Sequence, residues 1–116
     1  MQLTRKHFIA LAAALVAGSA LAQGYPTKPI TLVVPAAAGG TTDLAGRMLA
    51  QGLSTVTGQQ VVVDNKGGGN GAIAASIVKR APADGYTLLM QYSGFHVISP
   101  HLAKVPQWEQ KDFQPI

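Results

Sequence analysis

Hydrophobic and polar positions change period along the chain, and each change marks an element. Ile30-Thr31-Leu32-Val33-Val34 is β-branched and nearly all apolar. A strand apolar on both faces suits a parallel sheet covered on both sides. Pro35 ends it. Over residues 44–56 the apolar positions Ala45, Met48, Leu49, Leu53 and Val56 recur at helical spacing, while Arg47, Gln51 and Ser54 fall elsewhere on the wheel. This predicts a helix that turns the apolar stripe to the core. Thr41, Thr42 or Asp43 can each cap it, and Gly58 stops it. Gln60-Val61-Val62-Val63-Asp64 reads as a second strand. Residues 72–80 read as a short helix, with Ile73 and Ile77, and Ala74 and Val78, as i,i+4 pairs, and with Lys79 and Arg80 in the last turn. Pro82-Ala83-Asp84-Gly85 is a turn. Tyr86-Thr87-Leu88-Leu89-Met90-Gln91 is a third strand. The remainder reads as loop, with room for helical turns within 95–103 and 106–116. The order is β-α-β-α-β, an α/β class with crossovers long enough for parallel, right-handed pairing.

The first 22 residues have a different character. Arg5-Lys6-His7 is a basic start, residues 8–17 are an apolar run, and Ala20-Leu21-Ala22 places small residues at −3 and −1 before Gln23. These are the three parts of a cleaved secretory signal peptide. A spanning helix would need roughly 20 predominantly apolar residues, and Gly18 and Ser19 break this run sooner. The expected division is a signal peptide over 1–22 and, over 23–116, the N-terminal part of a two-domain fold whose second domain is absent.

Composition changes this picture only at the margins. The chain is 47% apolar and 12% charged, which places it with folded rather than disordered chains. Its formal charge of +4 falls to +2 after the leader, without a basic stretch beyond Lys79-Arg80, so nucleic acid is not an expected partner. The absence of cysteine excludes disulfides, thiolate metal sites, a cysteine nucleophile and a lipoprotein anchor.

The candidate chemistry sits where strands end. Ala36-Ala37-Ala38-Gly39-Gly40-Thr41-Thr42-Asp43 follows the first strand, Lys66-Gly67-Gly68-Gly69-Asn70-Gly71 the second, and Tyr92-Ser93-Gly94 the third. In an open parallel sheet, ligands bind beyond the carboxyl ends of the strands. Small side chains let a ligand reach backbone N–H groups and helix N-termini, which together favour an anion. The expected ligand is a carboxylate, and the expected contacts are Ala37, Ala38, Gly39, Gly40, Thr41, Thr42, Asp43, Gly68, Gly69, Asn70, Gly71, Ser93 and Gly94. Asp43 has two compatible roles: capping the helix, or accepting from a ligand amine or hydroxyl while fixing the loop.

Other chemistries lack parts. Residues 67–72 fit G-x-G-x-x-A literally, but the acid that a dinucleotide fingerprint wants about 20 residues on is replaced by Gln91-Tyr92. No Gly-Lys-Ser/Thr follows the glycines, so a P-loop fails. Ser93 lacks the G-x-S-x-G frame of a nucleophile elbow, and its nearest base is His96, without an acid to orient it. His96 and His101 stand five apart, off a common helical face, with no acid placed to complete a metal site. No cofactor is expected.

The run Tyr25-Pro26-Thr27-Lys28-Pro29-Ile30-Thr31-Leu32-Val33-Val34-Pro35, then Gly39-Gly40-Thr41-Thr42-Asp43, resembles the opening of the Bug family. So do Val61-Val62-Val63-Asp64-Asn65, the glycine loop, and Ala81-Pro82-Ala83-Asp84-Gly85-Tyr86-Thr87-Leu88-Leu89. Ser99-Pro100-His101-Leu102 and Asp112-Phe113-Gln114-Pro115 continue the match. These are the extracytoplasmic solute-binding receptors of tripartite tricarboxylate transporters. The resemblance implies a periplasmic-binding-protein fold with a cleft between two α/β domains, and a ligand carboxylate held by amides of the first two strand–helix loops. It implies a monomer that passes a di- or tricarboxylate or an amino acid to membrane transporter subunits. Lys66-Gly67 departs from the family's usual Arg-Pro, and Ala36 and Ala37 stand where bulkier residues or proline are usual. The alternatives from the residues themselves are a secreted α/β hydrolase or transferase using Ser93 or Asp43, or a truncated product without function.

Overall fold

Strand β1 (Ile30–Val34) is the centre of a three-stranded parallel sheet, flanked by β2 (Val61–Asn65) and β3 (Thr87–Leu89) in the order β2-β1-β3. The computed structural model describes residues 24–94, 98, 101 and 108–116. The leader expected over 1–22 and the His96 candidate lie outside these. Helix α1 (Thr41–Thr57) joins β1 to β2, and helix α2 (Ala72–Arg80) joins β2 to β3. The β-α-β-α-β order and the parallel pairing match the sequence reading.

The register explains the two-sided burial. Ile30, Leu32 and Val34 sit opposite Val61, Val63 and Asn65 on one side, and Leu32 sits opposite Leu88 on the other. Alternate residues of a strand face alternate layers. Ile30, Leu32 and Val34 therefore share one layer with Val61 and with Ala50 of α1, and Val63, Leu88 and Met90 pack against this core. Leu89 points the other way, into a cluster with Ala75 of α2, Trp108 and Phe113. Each large apolar side chain fully buried here stabilises the fold by about 1.5–3 kcal/mol.

The face that α1 buries keeps Leu53 of the expected stripe against the core and otherwise differs from it. Asp43, Gly46 and Ala50 are buried, while Leu44, Met48, Leu49 and Val56 are exposed, Val56 at 85%. The cause is close approach of helix and sheet. A Cβ on Gly46 would lie 2.8 Å from Cγ2 of Val34. At that spacing only a small residue fits beneath the helix at Gly46, so the inner face there is set by volume rather than hydrophobicity.

The helix start is also corrected. Gly40 is the N-cap and makes no side-chain cap bond, so Thr41 and Thr42 open the helix and Asp43 is its third residue rather than its cap. At the other end Gly58 stops α1 in a left-handed conformation, its N–H donating to the Ser54 carbonyl. The third strand is shorter than its sequence run. Its hydrogen bonds nevertheless extend from the Tyr86 carbonyl, which accepts from Thr31 N–H, to Met90 N–H, which donates to Val33.

Two flanking segments are pinned to this frame. The extended lead-in is held at the N-terminal end of β3. Tyr25 donates to the Gly85 carbonyl at 2.5 Å, its ring meets Tyr86 edge-on at 5.1 Å, and Lys28 lies 4.3 Å from the Tyr86 ring centroid. Residues 108–116 include a 3₁₀ turn at Gln110–Asp112, with Trp108 and Phe113 packed edge-on at 5.8 Å. Among the described residues, no helix is long and apolar enough to cross a membrane.

Candidate functional site

The carboxyl ends of β1 and β2 lie side by side, because Val34 is paired with Asn65. The loops that leave them, 35–40 and 66–71, therefore start as neighbours, and they stay in contact. Lys66 N–H donates to the Val34 carbonyl at 2.8 Å. Gly67 passes so near the first loop that a Cβ there would stand 3.2 Å from the Ala37 nitrogen and 3.3 Å from the Ala36 carbonyl carbon. Both partners are backbone, so a larger residue at 67 would need the two loops to part by a few tenths of an ångström.

Each loop then opens a helix at the same edge of the sheet. Residues 37–41 are exposed. The first N–H groups of α1 have no intrahelical acceptor, and no side chain caps them. The second loop takes a left-handed turn: Gly68, Gly69, Asn70 and Gly71 all have positive φ, from 49° to 108°. Three of the four are glycine, and asparagine tolerates this region better than other residues. The turn ends at Gly71, the uncapped N-cap of α2. Gly68, Gly69 and Asn70 are exposed, while Gly71 is buried. Two helix N-termini thus add their positive ends to one surface of exposed backbone.

β3 ends beside β1, with Leu89 paired to Val33, so Ser93 and Gly94 leave from the same edge. Ser93 is exposed and Gly94 half-buried, with helical backbone at both. Among the described residues, no group of three His, Asp or Glu side chains could hold a metal ion.

Asp43 is the one acid within the loops, and it turns inward. It is 3% exposed. Its Oδ2 accepts from Gly39 N–H at 2.8 Å and from Arg47 Nε at 3.0 Å, and its Oδ1 accepts from Asn65 Nδ2 at 3.0 Å. These donors, Gly39 first and then Arg47 and Asn65, lower its pKa from 3.8 to about 2. Asn65 also donates to the Ala36 carbonyl at 3.3 Å. The sequence assigns Asn65 and Arg47 no role in the site. Their one visible signal is the i,i+4 spacing of Asp43 and Arg47, which is common on any helix.

The cations beside the loops are both paired. Arg47 is held on Asp43, and Lys66 Nζ lies 2.9 Å from Asp64. The surface therefore offers an anion amide donors and helix ends rather than a dedicated side-chain cation. Such a surface can hold a carboxylate through oriented N–H groups.

Comparison with known proteins identifies the family. The sequence model described as "Tripartite tricarboxylate transporter family receptor" (TctC) matches residues 45–116. A UPF0065 protein from the tcbD–tcbE intergenic region of Pseudomonas sp. strain P51 is 37% identical over 115 residues, covering 97% of this chain and 34% of the relative. A solved R. palustris protein with adipate superposes with a TM-score of 0.71 at 41% identity, covering 76% of this chain and 29% of the other. MatC from Rhodopseudomonas palustris with bound malate superposes at 0.70 with 32% identity, covering 73% of this chain and 29% of the other. The chain spans a quarter to a third of the length of the curated relatives it matches. Sequence and fold together place it: the chain belongs to the family of tripartite tricarboxylate transporter receptors, the Bug receptors, whose members are solute-binding proteins.

Proposed function

We propose that this chain forms one jaw of a periplasmic receptor for a small carboxylate-bearing solute, a di- or tricarboxylate or an amino acid. The leader over 1–22 directs export and is cleaved after Ala22. Residues 23–116 supply the two-loop grip of the first domain, and the second domain of such a receptor closes over it. The loaded receptor, a monomer, delivers its solute to the membrane subunits of a tripartite tricarboxylate-type transporter. The observation that carries this reading is the meeting of two exposed small-residue loops, each ending in an uncapped helix N-terminus, at the ends of β1 and β2.

Amides of residues 37, 38, 40–42 and 68–70 contact the carboxylate, with Ser93 and Gly94 at the rim, while the amides of Gly39 and Gly71 are held within the loops by Asp43 and the Gly68 carbonyl. Asp43 serves the site by fixing the first loop. The adipate and malate of the solved neighbours support a dicarboxylate as the first probe. The enzymatic alternative asks Asp43 to act on a substrate, but its carboxylate already holds three donors.

Amide NMR of residues 23–116 tests the reading, because it detects weak binding to a single jaw. Adipate and malate at millimolar concentration should shift the amides of 37–43 and 68–71 and leave the Tyr25–Tyr86 end unmoved. Absence of any loop shift with mono-, di- and tricarboxylates and amino acids would overturn it. In a receptor with both domains, ligand at about 100 times its Kd should add about 2.7 kcal/mol to stability.

A further inference from the structure

We propose that Asn65 and Asp43 form a latch that holds the two ligand loops in one register, acting as positioning residues without touching the solute. This rests on the carboxylate-site reading and adds to it the residues that set the grip.

The geometry is that of a fastener rather than a contact surface. Asn65 is the last residue of β2, at the point where the second loop begins. From there its amide group reaches across the sheet to two places. It donates to the Ala36 carbonyl at the start of the first loop and to the Asp43 carboxylate in the first turn of α1. Asp43 in turn accepts from Gly39 N–H, near the end of the same loop. One pair of side chains thus grips the first loop at residues 36 and 39 and ties both ends to β2. Arg47 closes the ring, with Nε on Asp43 at 3.0 Å and Nη2 3.5 Å from the Asn65 Oδ1.

The same arrangement solves an electrostatic problem. A free carboxylate beside an anion site would repel the solute. Here the Asp43 charge is buried, met by a cation, and turned toward Gly39, Arg47 and Asn65. The only other charged groups of the adjacent strand end, Asp64 and Lys66, pair with each other at 2.9 Å. Asp64 lies on the opposite face of β2 from Asn65, since successive strand residues alternate. The latch is therefore close to neutral. Its output is orientation: with Gly39 N–H bound inward, the amides that follow it at the helix start are fixed for the ligand. Preorganised donors bind more tightly because less ordering remains to be done on association.

Asn65→Ala removes the bonds to Ala36 and to Asp43 and leaves Asp43 and Arg47 paired. Asn65→Asp is the second variant, which keeps the side-chain size and replaces a donor with an acceptor facing Asp43. Both are measured by amide hydrogen exchange and by NMR with malate as the probe. The latch predicts that exchange at residues 37–42 and 68–71 accelerates together in each variant, while amides of β1 and β2 stay protected. It predicts that the Kd for malate rises by about tenfold. It also predicts that the pH at which the Gly39 amide shift inflects, about 2 in the unsubstituted chain, moves up toward 3.8 in Asn65→Ala. A side chain that merely packs would leave that inflection where it is. Unchanged loop exchange and an unchanged inflection in both variants overturn the latch, whatever the ligand does. An unchanged malate Kd, in a chain that does bind malate, overturns its role in binding. A chain that shows the exchange and inflection changes but no carboxylate shift keeps the latch as a loop fastener, overturns its role in binding and refutes the carboxylate reading.

Discussion

Asp43 carries the main pH dependence of the loop region. Its pKa falls from 3.8 to about 2 because the folded state offers its carboxylate Gly39, Arg47 and Asn65 as donors. A group with a depressed folded pKa adds stability that is complete above the unfolded value and is lost as pH falls through the folded one. The contribution should therefore be present at pH 5 and fade between 3.8 and about 2. Asp43→Asn should melt at a lower temperature than the unsubstituted chain at pH 6, with the gap closing toward pH 2. Melting curves of both proteins across that range check it, and a constant gap would show that the carboxylate's charge is not involved. Asp84 and Asp112 are shifted in the same direction, by Tyr86 N–H and by Lys79, and both keep their effect in the variant. Sequence reading found Asp43 because it sits in a loop of small residues. It did not find Asn65, which lies 22 positions away. Only the strand register, which sets Asn65 opposite Val34, brings the two together.

Among the elements, both helices and all three strands were legible, since β-branched runs and glycine or proline stops leave few alternatives. The orientation of α1 was not. A periodicity argument assumes that the larger apolar side chains turn inward, and here Met48 and Val56 are exposed while Gly46 and Ala50 are buried. The deciding fact is the helix-to-sheet distance at Gly46, which no local pattern encodes. Gly46→Ala tests this directly. In an exposed helix interior the change would gain about 0.8–1.0 kcal/mol of helix propensity. Here the new methyl would stand 2.8 Å from a side-chain methyl of the fully buried Val34. Overpacking of this kind costs about 1–3 kcal/mol, so the net effect should be destabilising. Adding Val34→Ala should return part of the loss, a non-additivity visible in urea melts of the two single variants and the double variant. Val56→Gln, at an exposed site, should change stability by less than about 0.5 kcal/mol.

At the scale of the whole molecule, the structure stands on two separate layers, and they differ in how much local sequence predicts them. The layer beneath α1 is built from neighbouring strands and one helix, all visible as apolar runs. The layer on the other face depends on Trp108 and Phe113, which come from a segment that reads as loop. Trp108 is 4% exposed and packs with Ala75, while Leu89 and Phe113 close around the pair. Nothing local to residues 106–116 marks that docking; it follows from the fully buried Ala75, whose small side chain leaves room for an indole. The segment has polar ties as well. Lys79 Nζ lies 2.7 Å from Asp112, and Asp112 also accepts from Glu109 N–H at 2.8 Å. The relative weight of these ties follows from exposure. Lys79 is 44% exposed, so its ion pair is worth about 0–1 kcal/mol. Removing a buried tryptophan side chain costs about 3–5 kcal/mol. Total stability for a domain of this size is about 5–15 kcal/mol, so Trp108→Ala should remove much of it while Lys79→Ala should hardly register. Far-UV circular dichroism in urea separates the two variants, since Trp108 is the single tryptophan and fluorescence is lost with it. If both variants unfolded at the same urea concentration as the unsubstituted chain, the second layer would contribute no stability and α2 would be held by β1 and β3 alone.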